Sequence, residues 1–538
     1  MQQGRDLRPG RLTARLLILA LLLFFFGQAL RVAVATSLTV DEGLHIASGY
    51  SIWRTGDYRL IEEHPPLVKL WLALPLLSLP DLADPASLPA WQDAAVPTTD
   101  SLPLLELAQQ LLYPYRPVTR WLVPARAMSA LLGTLLLAVI ARWSHEKSGS
   151  VAALFATALA ASDPNLQAHA AVAGTDLGAA ALVTLGLWQA ARFLREPRLR
   201  SALVTGLLLG LALSAKLTAA LLGPALALAG LAQLLTTPSQ GRKRLVWEGA
   251  TVVAVAGLTL WATYGFQIGQ VPGVPFRMPA AAHAVPILRL LDHSQGGHQA
   301  FLLGENSTQG WLGYFPVAFL IKTPLPGLVA IVGGTAIGGW ALCQTRHRRG
   351  WLSRLLSGPV VFVAVYAITS ILSPLNIGYR HLLPLLPLLY MGSGAIVATS
   401  ARTPVPARVA LRAVACVLIV AQAATTLSQS PHLLSYANAL VGGARNGWRY
   451  LADSNTDWGQ AFLALAEYQS EHNVGPVQLS AFIFYDPSMY GVDHTPLTPL
   501  GGDTPAVFPS RLAPPAGDYA ISATPLDGIP LADPEMYD

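Results

Sequence analysis

Apolar positions run in eleven stretches along the chain, centred in residues 16–35, 121–141, 149–163, 172–191, 200–215, 218–236, 247–268, 314–341, 355–374, 381–399 and 409–428, with charged residues gathered between them. Crossing a hydrocarbon core takes about 20 mostly apolar residues at about 1.5 Å each. The pattern therefore predicts an all-α polytopic membrane protein with about 11 transmembrane helices. The first stretch, with arginines ahead of it and "AVA" at Ala33 to Ala35 behind, also has the layout of a cleavable signal peptide. It is expected to be retained, because its apolar run continues past Arg31 far enough to span. Lys216 divides 200–236 into two short spans; joining them would move every later loop to the other side.

With the N-terminus cytoplasmic, the inner segments hold Arg5, Arg8, Arg11 and Arg15, then Arg142 and Lys147, then Arg192, Arg195, Arg198 and Arg200. Arg242, Lys243 and Arg244 follow, then Arg346, Arg348, Arg349 and Arg354, and last Arg402, Arg408 and Arg412. These are 20 of the 35 basic residues, whereas 26 of the 30 acidic residues fall on the other side, as the positive-inside rule requires. Three regions stand outside: 36–120, 269–313 and the tail 429–538. The first has ten acids against five bases and proline-broken apolar pieces, and reads as helices lying along the membrane surface. The division is a transmembrane unit, 1–428, and a small extracytoplasmic α/β region, 429–538, where "WGQAFLALAEYQSEH" has helical period and "VQLSAFIFY" and "DYAISA" read as strands. The Pro-rich end from Thr495 to Asp538 is expected to be partly irregular.

Composition agrees: 53% of residues are hydrophobic and only 12% charged, against about 25% charged in soluble domains. The net charge of +5 follows topology, which argues against a nucleic-acid partner. Cys343 and Cys416 both lie in apolar stretches, so neither a disulfide framework nor a CxxC metal site is available. The two halves lack the matched interrupted helices of an inverted-repeat transporter.

Chemistry is expected where acids crowd the first span. In a helix from Asp41 to Tyr50, Asp41 and His45 share a face and Glu42 points about 100° away, so only one carboxylate of the pair can line a given site. Thr39 or Asp41 can equally be an N-cap, although capping alone does not account for the second cluster "EEHPP" about twenty residues on. Asp176 in "AGTD" opens the fourth span, where it serves either a site or the helix dipole. Arg126, Lys216, Lys322, Arg380 and His381 fall at the outer ends of spans; each can snorkel to lipid phosphates, and together with His64 they suggest a phosphate site.

"DEGLH", "EEHPPLVK", "GTD", "GENSTQGWLGYFPVAFLIKTPLP", "GYRHLLPLLP" and the tail's "GARNGWRYLADSNTDWGQ" resemble polyprenyl-phosphate-dependent membrane glycosyltransferases of the GT-C fold, such as protein O-mannosyltransferases and the aminoarabinose transferases that modify lipid A. The resemblance implies a multi-pass protein of the plasma (inner) membrane that takes a sugar from a polyprenyl-phosphate donor and passes it, with inversion, to an acceptor hydroxyl. It makes Asp41 the general base, Glu42 its partner and Asp176 the second-loop acid. Glu63 and His64 match an acidic-basic pair facing the donor phosphate, with His64 standing where Lys is usual in the aminoarabinose branch. Lys216, Lys322, Arg380 and His381 are expected at the phosphate, and His45 and Arg126 nearby. The donor already carries a phosphate leaving group, so no cofactor is required and a divalent metal stays open. A transporter or flippase of lipid-linked sugars is the alternative; the odd span count and long acidic first loop stand against it.

Overall fold

The computed structural model describes residues 9–61, 63–93, 102–271, 274–344, 355–400, 404–497 and 516–529. Glu62, the basic residues Arg346, Arg348, Arg349, Arg354 and Arg402, and most of the Pro-rich end lie outside them. Among the described residues, seven helices are long and apolar enough to cross a membrane: Leu12–Ala35, Thr119–Ala161, Asp176–Arg195, Leu217–Thr236, Ser239–Thr263, Leu325–Cys343 and Val405–Gln429.

The eleven expected spans all fall on helix, but not one to one. The stretches 121–141 and 149–163 belong to one helical tract broken at Gly149, whose φ of 84° and ψ of 180° end the first helix and start the next. Ser129 bonds the carbonyl of His169 while Trp188 bonds Glu146, so residues 129–146 run alongside the helix Asp176–Arg195 in the same direction, and the chain after Gly149 returns. The stretch 314–341 breaks instead at Thr323 and Pro324, because the residue before a proline is driven out of helical conformation. Leu199–Leu213, Gly358–Leu372 and Leu386–Ala398 are shorter than a full crossing: 15 residues rise only about 22 Å. Lys216 does separate two helices, its extended backbone (φ −158°, ψ 145°) lying between Leu199–Leu213 and the turn that opens Leu217–Thr236.

Small residues draw the short helices in. Gly206 and Gly210, one turn apart, face the helix Ser239–Thr263 so closely that a Cβ would sit 2.7 Å from the Val252 oxygen and 2.6 Å from the Ala256 oxygen. This is the small-xxx-small packing by which membrane helices approach without an apolar driving force. The first helix, Pro9–Ala35, packs along the second tract through Phe25, which lies against Gly133, and buried Ala29, while Val32 packs against Ala168, Ala171 and the tail.

Outside the bundle, the first loop forms the helices Glu42–Thr55, Pro66–Ala73 and Leu102–Leu111, and region 269–313 forms two antiparallel hairpins, Ile268–Gln270 with Arg277–Pro279 and Ala300–Leu302 with Glu305–Ser307. In the tail the strand Val477–Ser480 lies between His494–Pro496 and Tyr519–Ile521, parallel to both. The tail helix, Phe462–His472, starts later than its periodicity predicts because Trp458 to Gln460 pair with the first loop instead.

Candidate active site

The sequence running into Asp41 is held from three directions. Glu42 reaches back to the N–H of Thr39 at 2.8 Å, the return bond of a capping box, so the Glu and not the Asp caps this helix. The Asp41 side chain makes no capping bond and is free to face elsewhere. From the tail, Trp458 and Gln460 accept hydrogen bonds through their carbonyls from Val40 N–H (3.0 Å) and Ser37 N–H (3.1 Å). Tyr485 donates to the Leu38 carbonyl at 2.6 Å, and Tyr490 accepts from the Leu38 N–H at 2.8 Å. Gly459 between the paired residues has φ of +93°, where a side chain would be strained and a Cβ would meet Ile483 at 2.9 Å.

Asp41 turns into a cavity of ≈ 340 Å³. It brings together seven of the expected site residues, Asp41, His45, Glu63, His64, Lys216, Arg380 and His381, from segments far apart in the chain. Arg380 Nη1 meets Asp41 Oδ2 at 2.7 Å, and its guanidinium lies over the Trp458 ring, 4.3 Å from the centroid. Lys216 pairs with Asp176, which sits behind it at the first turn of its helix, where its charge also suits the helix dipole; Asp176 itself does not line the cavity. Burial, with Lys69 next in effect, holds His45 well below the usual imidazole value, and burial with Lys216 does the same to His64. Both rings are therefore neutral near pH 7, 5.5 Å apart between centroids, and the cavity's fixed positive charges are Lys69, Lys216 and Arg380.

Besides Asp176, three expected site residues lie outside the cavity wall. Arg126 is fully buried, and its N–H groups are taken: Nε and Nη2 bind Glu42 at 2.8 and 2.7 Å, Nη2 also binds the Ser37 carbonyl, and Nη1 binds the carbonyls of Ala33 and Thr36. Glu42, also fully buried, accepts from Arg126 twice, from Thr39 N–H and from Ala173 N–H at 2.7 Å, which fills both its oxygens. This pair ties the first loop to the second tract and to the start of the fourth span; it does not line the cavity. Lys322 donates to the carbonyls of Leu434 and Asn455, anchoring the tail, and is likewise absent from the cavity wall.

Sequence reasoning passed over Lys69, Leu105, His298, Asp453, Trp458, Phe482 and Phe484, all of which line the cavity. Lys69 ends the quoted "EEHPPLVK", and Asp453 and Trp458 sit in "LADSNTDWGQ", so the signal was present for three. Asp453 has a φ of 57°, uncommon for a residue with a side chain, and burial pushes its carboxyl up to about 6. Among the described residues, no group of three or more His, Cys, Asp or Glu is arranged to hold a metal ion.

Apolar helices, a kinked and Gly-packed bundle and a loop-walled charged cavity define a polytopic helical membrane protein. Residues 119–264 match the family model of dolichyl-phosphate-mannose-protein mannosyltransferases, which bears out over that stretch the resemblance drawn from the motifs. No protein of curated function matches the chain. Among solved structures it is similar to ArnT from Cupriavidus metallidurans in the apo state, at 13% identity and a TM-score of 0.48 over 91% of this chain and 86% of that one. The same protein bound to undecaprenyl phosphate gives 13% and 0.49 over 89% and 85%. The S. cerevisiae protein O-mannosyltransferase Pmt1–Pmt2 complex bound to the sugar donor gives 18% and 0.34 over 47% and 33%. At such scores the likeness stops short of shared chemistry.

Proposed function

We propose that the protein is a membrane glycosyltransferase that moves a sugar from a polyprenyl-phosphate donor to an acceptor hydroxyl, with the cavity at the outer face and the N-terminus cytoplasmic. The observation that carries this reading is Asp41 beside Arg380 in a cavity that also holds Lys69 and Lys216. As the acceptor oxygen bonds to the anomeric carbon, the carbon–oxygen bond to phosphate breaks on the opposite face, which inverts the centre. Asp41 takes the hydroxyl proton, and the three cations stabilise the charge left on the departing polyprenyl phosphate. Arg380 offers the bidentate geometry that phosphate favours. Asp176 holds Lys216 in place, and Glu42 with Arg126 holds the loop that aims Asp41. The family match over residues 119–264 supports the same reaction class.

Mass spectrometry of envelope glycans, lipids and glycoproteins tests the reading in cells carrying the wild-type gene, no gene, or Asp41→Asn. One sugar should be missing from one acceptor class in the deletion and in Asp41→Asn alike. An unchanged glycan profile in both would overturn it, and loss in the deletion alone would remove Asp41 from the chemistry.

A further inference from the structure

At the far end of the helix Asp176–Arg195 from the cavity, about 28 Å away along the axis, a second recess of ≈ 500 Å³ opens between helices. Lys147 and Arg195 both line it. The nearest acids in sequence are committed elsewhere: Glu146 binds Arg142 at 3.0 Å and Trp188 at 2.9 Å, and Glu196 binds Arg198 at 3.1 Å. The third wall is the start of the helix Gly358–Leu372, whose N-cap Ser357 makes no capping bond, so the partial positive charge of that helix end faces the same space. Lys147, which also lies over the Trp143 ring at 5.2 Å, and Arg195 are both exposed, and with the helix start they give the recess a net positive potential that favours an anion.

The recess joins an apolar groove of ≈ 760 Å³, and Leu194 belongs to both. Four glycines line the groove, Gly223, Gly230, Gly249 and Gly257, and a Cβ at any of them would meet nothing within 4 Å. We infer that this end of the bundle is a binding site for an acidic phospholipid, its phosphodiester between Lys147 and Arg195 and one acyl chain in the groove. A zwitterionic head group would bring its own ammonium against the two cations, and a free phosphate would leave the groove unfilled. Basic recesses between helices beside an apolar seam are how membrane proteins single out anionic lipids. The site is separate from the donor cavity and stands whether or not the transfer reaction proposed above is right.

The test uses the full chain, purified and delipidated in detergent, and follows thermal unfolding as phosphatidylglycerol, phosphatidylcholine or inorganic phosphate is added. Phosphatidylglycerol should raise the midpoint in a saturable manner, and the other two should not. In Lys147→Gln with Arg195→Gln the apparent affinity should fall about 30-fold, the loss expected of two juxtamembrane cations. Gly249→Leu should weaken it too while the protein stays folded, because leucine favours helix over glycine and its side chain enters the groove. An equal midpoint rise with phosphatidylcholine, an equal rise with phosphate alone, or undiminished binding in both variants would each overturn the assignment.

Discussion

Replacing Glu42 by Gln separates the two acids that open the first outer loop. Each Glu42 oxygen faces two donors: Oε1 faces Arg126 Nε and Ala173 N–H, and Oε2 faces Arg126 Nη2 and Thr39 N–H. An amide in either orientation would point its own N–H₂ at two donors and leave the Arg126 charge buried without a counter-charge. Removing one partner of a buried ion pair costs about 3–5 kcal/mol, a large part of the roughly 5–15 kcal/mol that holds a typical domain folded. Glu42→Gln is therefore expected to unfold at markedly lower temperature in detergent, yet to retain turnover per folded molecule at low temperature. Asp41→Asn, whose side chain is 24% exposed and faces the cavity, should show the reverse: near-normal unfolding and lost turnover. Unfolding curves and single-temperature transfer assays on both variants decide it. A Glu42→Gln protein as stable as wild type but inactive would refute the division of labour drawn here.

Arg380→Lys should weaken donor use because an ammonium cannot hold phosphate bidentately, and turnover against donor concentration is the measurement; near-normal turnover would mean that any cation at that depth suffices. Trp458→Leu removes the ring face under the Arg380 guanidinium and should lower kcat in a folded protein, with Trp458→Phe restoring most of it. Asp527 is pushed up to about 7 by burial and by Asp457 beside it. The folded state then binds its proton more tightly than the unfolded state, so the stability from this group is full below about pH 4 and is lost as pH rises towards 7. Asp527→Asn should flatten the fall of the unfolding midpoint across that range, and an unchanged pH profile would count against a proton held there.

The turn of 100° between neighbours on a helix foretold that Asp41 and Glu42 face different surroundings, and the structure places one in the cavity and one in a closed ion pair. Periodicity says which residues share a face of one element; it does not say which elements meet. Asp176 and Lys216, 40 positions apart, looked like independent charges and are partners. Lys322 had the same sequence setting as Lys216, at the outer end of a span, but its ammonium is taken up by two tail carbonyls. The tail itself read as an appendage because its strands and helix are local signals, whereas its contact with residues 37–40 rests on long-range backbone and tyrosine hydrogen bonds that periodicity along one segment does not reveal. The break at Gly149 fell between two expected spans, whereas the Thr323–Pro324 step divides one, and three others fall short of a full crossing.

The bonds from Val40 to Trp458 and from Ser37 to Gln460 join positions more than 400 residues apart. Closing so long a loop brings no reward until both ends are in place. Asp41 emerges early in synthesis, yet Trp458, the ring under its partner Arg380, is made only after every apolar span has been. A ribosome-bound chain therefore carries its carboxylate for most of its birth without the surface that aims it. The loop that carries Asp41 gains its tail partners only when the last fifth of the polypeptide docks, a late and long-range step in the assembly of the fold.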